Sequence, residues 1–268
     1  MSNADIIDYQ IIGDDLQAVV VTLDPQEAVV AEAGAMMYMQ DGVEMGTSLS
    51  MKQDAGGIFG KLFEAGKRVV AGESFFITMF ANSSGDRRDV AFAAPYPGHV
   101  IPVHLGEFGG TLICQKDAFL CAARGIEVDI AFTKRLGAGF FGGEGFILQK
   151  ITAPTGDMEA VAFFHAGGSV VRHELAPGEI LRVDTGCLVA FEPSVDYAIE
   201  FVPGIKNKLF GGEGLFYIKM TGPGAVWMQT LPFSRLADRI IASAPSSGGK
   251  QKGEGSILGG AFRMIDGS

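Results

Sequence analysis

The sequence predicts an all-β protein built from three repeated antiparallel β-sandwich or barrel-like units, with one or two short helices. Three observations carry this prediction. A glycine–glutamate turn followed by an apolar run occurs three times, as VAGESFFITMF, FFGGEGFILQK and LFGGEGLFYIKM. Short β-branched segments (QAVVVTL, HVIPVHL, SVVRHEL) precede each copy. Turn chemistry such as LDPQE, LAPGE, EPSVD and GPG punctuates the chain at the 8–12-residue spacing expected of an all-β domain.

The repeat defines the organisation. Gly72–Glu73, Gly143–Glu144 and Gly212–Glu213 mark the three copies, with the glutamates 71 and 69 residues apart. Leu23, Leu105 and Leu175 end the upstream segments, 50, 39 and 38 residues before those glutamates. The first copy therefore carries an insertion. A self-similar period of this length reads as a small domain repeated, not as a solenoid. The expected units are 1–92, 93–160 and 161–230, then a helix over 231–245 and a glycine-rich tail over 246–268. The insertion, near 57–70, places Ile58, Phe59, Leu62, Phe63, Val69 and Val70 at helical spacing. In the second helix, Ser234 is the expected cap, Leu236, Ile240 and Ile241 face inward, and Pro245 is the stop.

Composition bounds the function. The 268 residues are 47% hydrophobic with 20 Phe, enough for a sizeable core. No run of 18 apolar residues suggests a membrane-spanning helix, and the start, MSNADIIDYQ, lacks the features of a secretory signal. Three unevenly spaced cysteines make no disulfide framework, so a cytoplasmic setting is expected. A formal charge of −10 argues against broad electrostatic affinity for nucleic acid or anionic lipid.

Chemical motifs fare poorly. GAGFFG (137–142) satisfies G-x-G-x-x-G, but a strand follows where a dinucleotide site needs a helix. GKLFEAGKR (60–68) has the wrong glycine spacing for a phosphate loop, and Arg68 stands where Ser or Thr is needed. The three glutamates read as turn carboxylates accepting backbone N–H bonds. A calcium site needs more converging oxygens than one per unit. His99 and His104, five apart, point to opposite faces of a strand, and His165 and His173 read as satisfied structural histidines. Cys114 and Cys121 would also point apart if one strand carried both, and Cys187 reads as a buried small hydrophobe. No nucleophile elbow occurs. No catalytic residue, metal ligand or cofactor site is expected, and the protein is read as a non-enzyme.

GGEGLFYIKMTGPGAVWMQTLPFSRLADRI (211–240), with its GGEG and TGPG turns and Trp227 in Val-Trp-Met-Gln, resembles the closing motif of the altered-inheritance-of-mitochondria (number twenty-four) family. The triple-repeat pattern extends the resemblance over essentially all of 5–240. It implies a fold like the trp RNA-binding attenuation protein, three swapped β-domains per chain, and a homotrimer forming a nine-domain ring. It supplies no catalytic residue set.

One charge pattern points to function. Before each glycine–glutamate turn lies a basic, aromatic stretch, carrying Lys61, Lys67, Arg68 and Phe63, then Lys134, Arg135, Phe140 and Phe141, then Lys206, Lys208 and Phe210. In a ring these stretches gather toward one face. One reading is of solvated loops whose phenylalanines pack inward beneath snorkelling lysines; the functional reading is a face that docks an anionic membrane surface. Single-stranded RNA stacked on the phenylalanines is an alternative; so is a small-molecule receptor or enzyme with a pocket between units.

Overall fold

The protein is described from a computed structural model over residues 4–32, 34–47, 77–134, 146–201 and 216–243. Its strands are antiparallel, as the alternating segments and turn signals imply. In chain order the first are β1 (Asp8–Ile12), β2 (Ala18–Leu23), β3 (Ala28–Glu32), β4 (Met36–Met39), β5 (Val43–Thr47), β6 (Ile77–Asn82) and β7 (Arg88–Ala93). Next come β8 (Gly98–His104), β9 (Thr111–Gln115), β10 (Phe119–Ala123), β11 (Glu127–Lys134), β12 (Phe146–Thr152) and β13 (Val161–Gly167). The last are β14 (Val170–Leu175), β15 (Ile180–Asp184), β16 (Leu188–Phe191), β17 (Asp196–Phe201), β18 (Phe216–Thr221) and β19 (Gly224–Gln229).

Four sheets result. The first has the order β1-β2-β7-β4, the second β5-β6-β3-β10-β13-β8, the third β11-β12-β9-β16-β19-β14 and the fourth β15-β18-β17. Sequence neighbours are thus often in different sheets. β2 feeds β3 through the Asp24–Glu27 turn, yet β2 lies in the first sheet and β3 in the second.

The sheets stack face to face. Phe80 meets Phe92 edge-on at 5.2 Å, and Tyr9 meets Phe163 at 4.8 Å, joining the first sheet to the second. Phe132 and Phe191 both pack on Tyr197, at 5.9 and 5.3 Å, joining the third to the fourth. Edge-to-face contacts of this kind add to the burial of the rings themselves. Every residue of β13, VAFFHAG, is buried. An antiparallel strand normally shows one face to water; β13 does not, lying between β10 and β8 inside the second sheet with its side chains buried on both faces.

Asn82 ends β6 fully buried, with its amide satisfied on every side. Its Nδ2 donates to the carbonyls of Leu23 and Asp86, and its Oδ1 accepts from the backbone N–H and the hydroxyl of Ser84. Asn82→Ala strands those groups, each costing about 1–3 kcal/mol when buried and unpaired. Urea unfolding should show a loss of about 2–4 kcal/mol.

The structure corrects two expectations about the C-terminal helix. The C-terminal helix, α1 (Phe233–Ser243), begins before Ser234, so Ser234 lies inside it and Pro232 supplies the first carbonyl, accepting from Arg235 and Leu236. Ile240 and Ile241 are 61% and 71% exposed, not inward-facing. Cys114 and Cys121 occupy different strands, β9 and β10, because a short 3-10 turn at Lys116–Ala118 separates them. Pro245, the 57–70 insertion and the 246–268 tail lie outside the described residues.

Candidate functional site

Two places in the described residues gather polar chemistry. The first is an open cleft of about 480 Å³ lined by Glu107, Phe108, Thr111, Lys150, Glu192 and Ser194, among others. A 3-10 turn at Leu105–Phe108 closes on Gly109 and Gly110, both at positive φ where a side chain is strained. That turn sets Phe108 edge-on against Trp227 at 5.2 Å. Arg172 lies over both rings, 5.2 Å from the centre of Trp227 and 5.9 Å from that of Phe108, and pairs with Glu174 at 3.0 Å. Trp227, singled out in the Val-Trp-Met-Gln motif, is thus a buried ring behind Phe108, capped by a cation. The cleft offers one lysine and two carboxylates beside an aromatic edge, which suits a small polar ligand. Ser194 reaches Glu192 at a long 3.4 Å, and no histidine lines the cleft.

The second place is internal. His165, in the middle of β13, is 2% exposed and meets the Tyr96 ring edge-on at 4.6 Å. Its Nδ1 has no hydrogen-bond partner, so it is not the satisfied structural histidine the sequence suggests. Burial lowers its pKa to about 4, with the nearby His99 adding to the shift. His99 Nδ1 donates to the Gly168 carbonyl at 2.6 Å. Burial also pushes the Tyr96 hydroxyl well above its ordinary range. Tyr96 in turn touches Phe233 at the start of α1. The arrangement holds a neutral imidazole, and none of its residues lines the cleft described above.

Burial favours the protonated thiol at each cysteine. Cys114 and Cys121 are buried, and burial pushes both thiols far up. Cys187 is half-buried and not fully enclosed, with its thiol also raised by burial. Among the described residues no group of three or more His, Cys, Asp or Glu is placed to hold a metal ion. No helix among them is long and apolar enough to cross a membrane.

Most of the residues singled out from the sequence lie outside the described residues: Lys61, Lys67, Arg68, Phe63, Arg135, Phe140, Phe141, Lys206, Lys208, Phe210, and the turn pairs Gly72–Glu73, Gly143–Glu144 and Gly212–Glu213. Lys134 ends β11, its backbone opposite Phe146. Among the described residues, other carboxylates take a turn role of the kind expected of the three glutamates. Glu27 accepts from the Asp24 N–H at 2.8 Å, and Glu179 accepts from the Ala176 N–H at 2.9 Å. LDPQE and LAPGE carried that signal in the sequence. Asp157 is a third such group, accepting from the backbone of Ala4, Glu159 and Ala160.

A family model described as mitochondrial biogenesis AIM24 matches residues 9–231. An uncharacterized protein of Streptococcus pyogenes serotype M6 is 30% identical over 228 residues, covering 85% of this chain and 86% of that one. The X-ray crystal structure of another Streptococcus pyogenes protein superposes with a TM-score of 0.65 at 21% identity, over 89% of this chain and all of that one. At that identity the likeness is one of fold.

Proposed function

This chain belongs to the mitochondrial biogenesis AIM24 family, and on that premise we propose that it is a non-catalytic scaffold subunit. It carries three tandem units of the trp RNA-binding attenuation protein kind and assembles as a homotrimeric ring. Its basic, aromatic stretches dock that ring on an anionic membrane surface at the cytoplasmic side. The observation that carries this reading is a recurrence in the strand order. β2–β7, β8–β13 and β14–β19 are three successive sets of six. In each set the first, sixth and third strands are neighbours in one sheet, and the second, fifth and fourth in another. The third strand of each set carries a register shift against the sixth, at Met36/Tyr38, Phe119/Cys121 and Leu188/Ala190.

The same recurrence supports the docking face. Each basic stretch falls between the fourth and fifth strands of its set. The chain leaves and returns at paired hairpin ends, Thr47 opposite Thr78, Lys134 opposite Phe146, and Phe201 opposite Phe216. Three equivalent exits per chain multiply a weak contact, and each basic residue near an anionic surface is worth about 1 kcal/mol.

Co-sedimentation with vesicles tests the reading. The protein should bind phosphatidylserine-containing vesicles and leave neutral ones, with binding falling as salt rises. Lys134→Glu, Arg135→Glu, Lys206→Glu and Lys208→Glu together should weaken binding by more than ~10-fold. Equal binding to neutral vesicles, or co-purifying RNA that competes with lipid, would sink the membrane reading.

A further inference from the structure

We infer that the chain docks on a second copy of itself head to tail, strand β4 of one copy pairing antiparallel with strand β15 of the next. Tyr38 then stands opposite Val183. This deepens the assembly reading above and rests on it.

Among the described residues, two of the four sheets are complete and two are halves. The second and third sheets share one order of six, in which the fourth, fifth and second strands of one set are followed by the third, sixth and first strands of the next. The fourth sheet, β15-β18-β17, holds only the first half of that order. The first sheet holds only the second half, β4-β7-β2, with β1 added at its far side. Each half ends where the other should begin.

The register follows from the two junctions already closed inside the chain. The second and third strands of every set start eight residues apart, at 28 and 36, 111 and 119, and 180 and 188. At the first junction Cys121 pairs with Ala31 and Ala122 with Val30. At the second, Ala190 pairs with Cys114 and Phe191 with Ile113. Counted from the strand starts, these are the same positions. Carried to the open edges, they set Tyr38 opposite Val183 and Met39 opposite Arg182.

Exposure marks the same edges. β10 and β16, which have their partners, are buried along their whole length. β4, the corresponding strand of the first set, leaves Met37, Tyr38 and Met39 50%, 41% and 38% exposed, and β15 leaves Ile180 47% exposed. Such an apolar edge is a template for another strand. Cys121, Ala31, Ala190 and Cys114 are all buried where they meet, so Tyr38 and Val183 meet on a face that assembly covers. The contact is heterologous, with each copy giving β4 on one side and β15 on the other, which generates a ring when the rotation closes.

Variants with one added cysteine test it, in a Cys187→Ser background that leaves the buried Cys114 and Cys121 in place. Tyr38→Cys and Val183→Cys chains are mixed, reassembled from denaturant and oxidised. The mixture should give cross-linked dimers, and neither variant alone should. Tyr38→Cys mixed with Leu181→Cys, two residues out of register, should cross-link several-fold less. A Tyr38→Cys self-cross-link, or better coupling to Leu181→Cys, would overturn the inference. So would an oligomeric mass without a 38–183 cross-link, which leaves the ring itself standing. A monomeric mass near 28.3 kDa would remove the ring and this junction together. Hydrogen exchange on the unmodified protein guards against misfolded variants: amides at 36–40 and 180–184 should exchange at least ~10-fold more slowly in the oligomer than in diluted monomer. Equal rates would also overturn it.

Discussion

Gly167→Ala should be among the most damaging additions of one methyl group to this chain. A Cβ on Gly167 would overlap the Leu231 carbonyl oxygen and come within 2.8 Å of the Tyr96 ring. The oxygen belongs to backbone held by the Leu231 N–H, which donates to the Gly167 carbonyl at 3.0 Å, so neither side can step aside alone. The Gly167 N–H is likewise held by the Gln229 side chain at 2.7 Å, and the Gln229 amide donates onward to the Gly186 carbonyl. Gly98 lies directly opposite in β8, and a Cβ there would meet His165 Nε2 at 2.6 Å. Overpacking a core normally costs about 1–3 kcal/mol, and occasionally more where relief would mean moving backbone. The expected loss for Gly167→Ala is at least ~3 kcal/mol, read from the urea midpoint. A loss below ~1 kcal/mol would show that the 229–232 segment gives way easily.

Acid should destabilise the protein through His165, and the sign follows from its burial. The folded-state pKa is about 4, below the ordinary 6.5, so the unfolded chain binds this proton more tightly. Stability is therefore at its full value above about pH 6.5 and falls as pH drops from there toward 4. A gap of that size corresponds to roughly 3 kcal/mol. The groups around the imidazole offer no counter-charge: His99 opposes protonation, and the Tyr96 ring sits against it. His165→Gln, which does not titrate, should show a shallower fall between pH 6.5 and 4 than the parent in denaturant unfolding at several pH values. Parallel curves for the two proteins would assign the acid sensitivity elsewhere.

Strands were legible in the sequence and their partners were not. HVIPVHL and SVVRHEL became β8 and β14, and FILQKI and FYIKMT fall in β12 and β18, because a β-branched or aromatic run between turn residues has few other uses. Which sheet each joins depends on pairings such as Ala31 with Cys121, which no local pattern encodes. Asn82 and Asp157 escaped notice for the same reason, since their partners Leu23 and Ala4 are 59 and 153 residues away. The spacing of Leu236, Ile240 and Ile241 reveals that α1 has an apolar face, but periodicity does not say what, if anything, covers it. For the candidate site, Trp227 stood out as a motif residue, whereas Phe108, which lines the cleft, and Arg172 meet its ring only through the fold.

The division of each set of strands between two sheets has a consequence during synthesis. β3 gains its neighbour β10 only after the chain has grown by the 90 residues from Ala31 to Cys121. At ~5–20 residues per second on the ribosome, that edge stays bare for roughly 5–20 s. The nascent chain spends that interval displaying Val29 and Val30, fully enclosed in the finished protein, to whatever is near the exit tunnel.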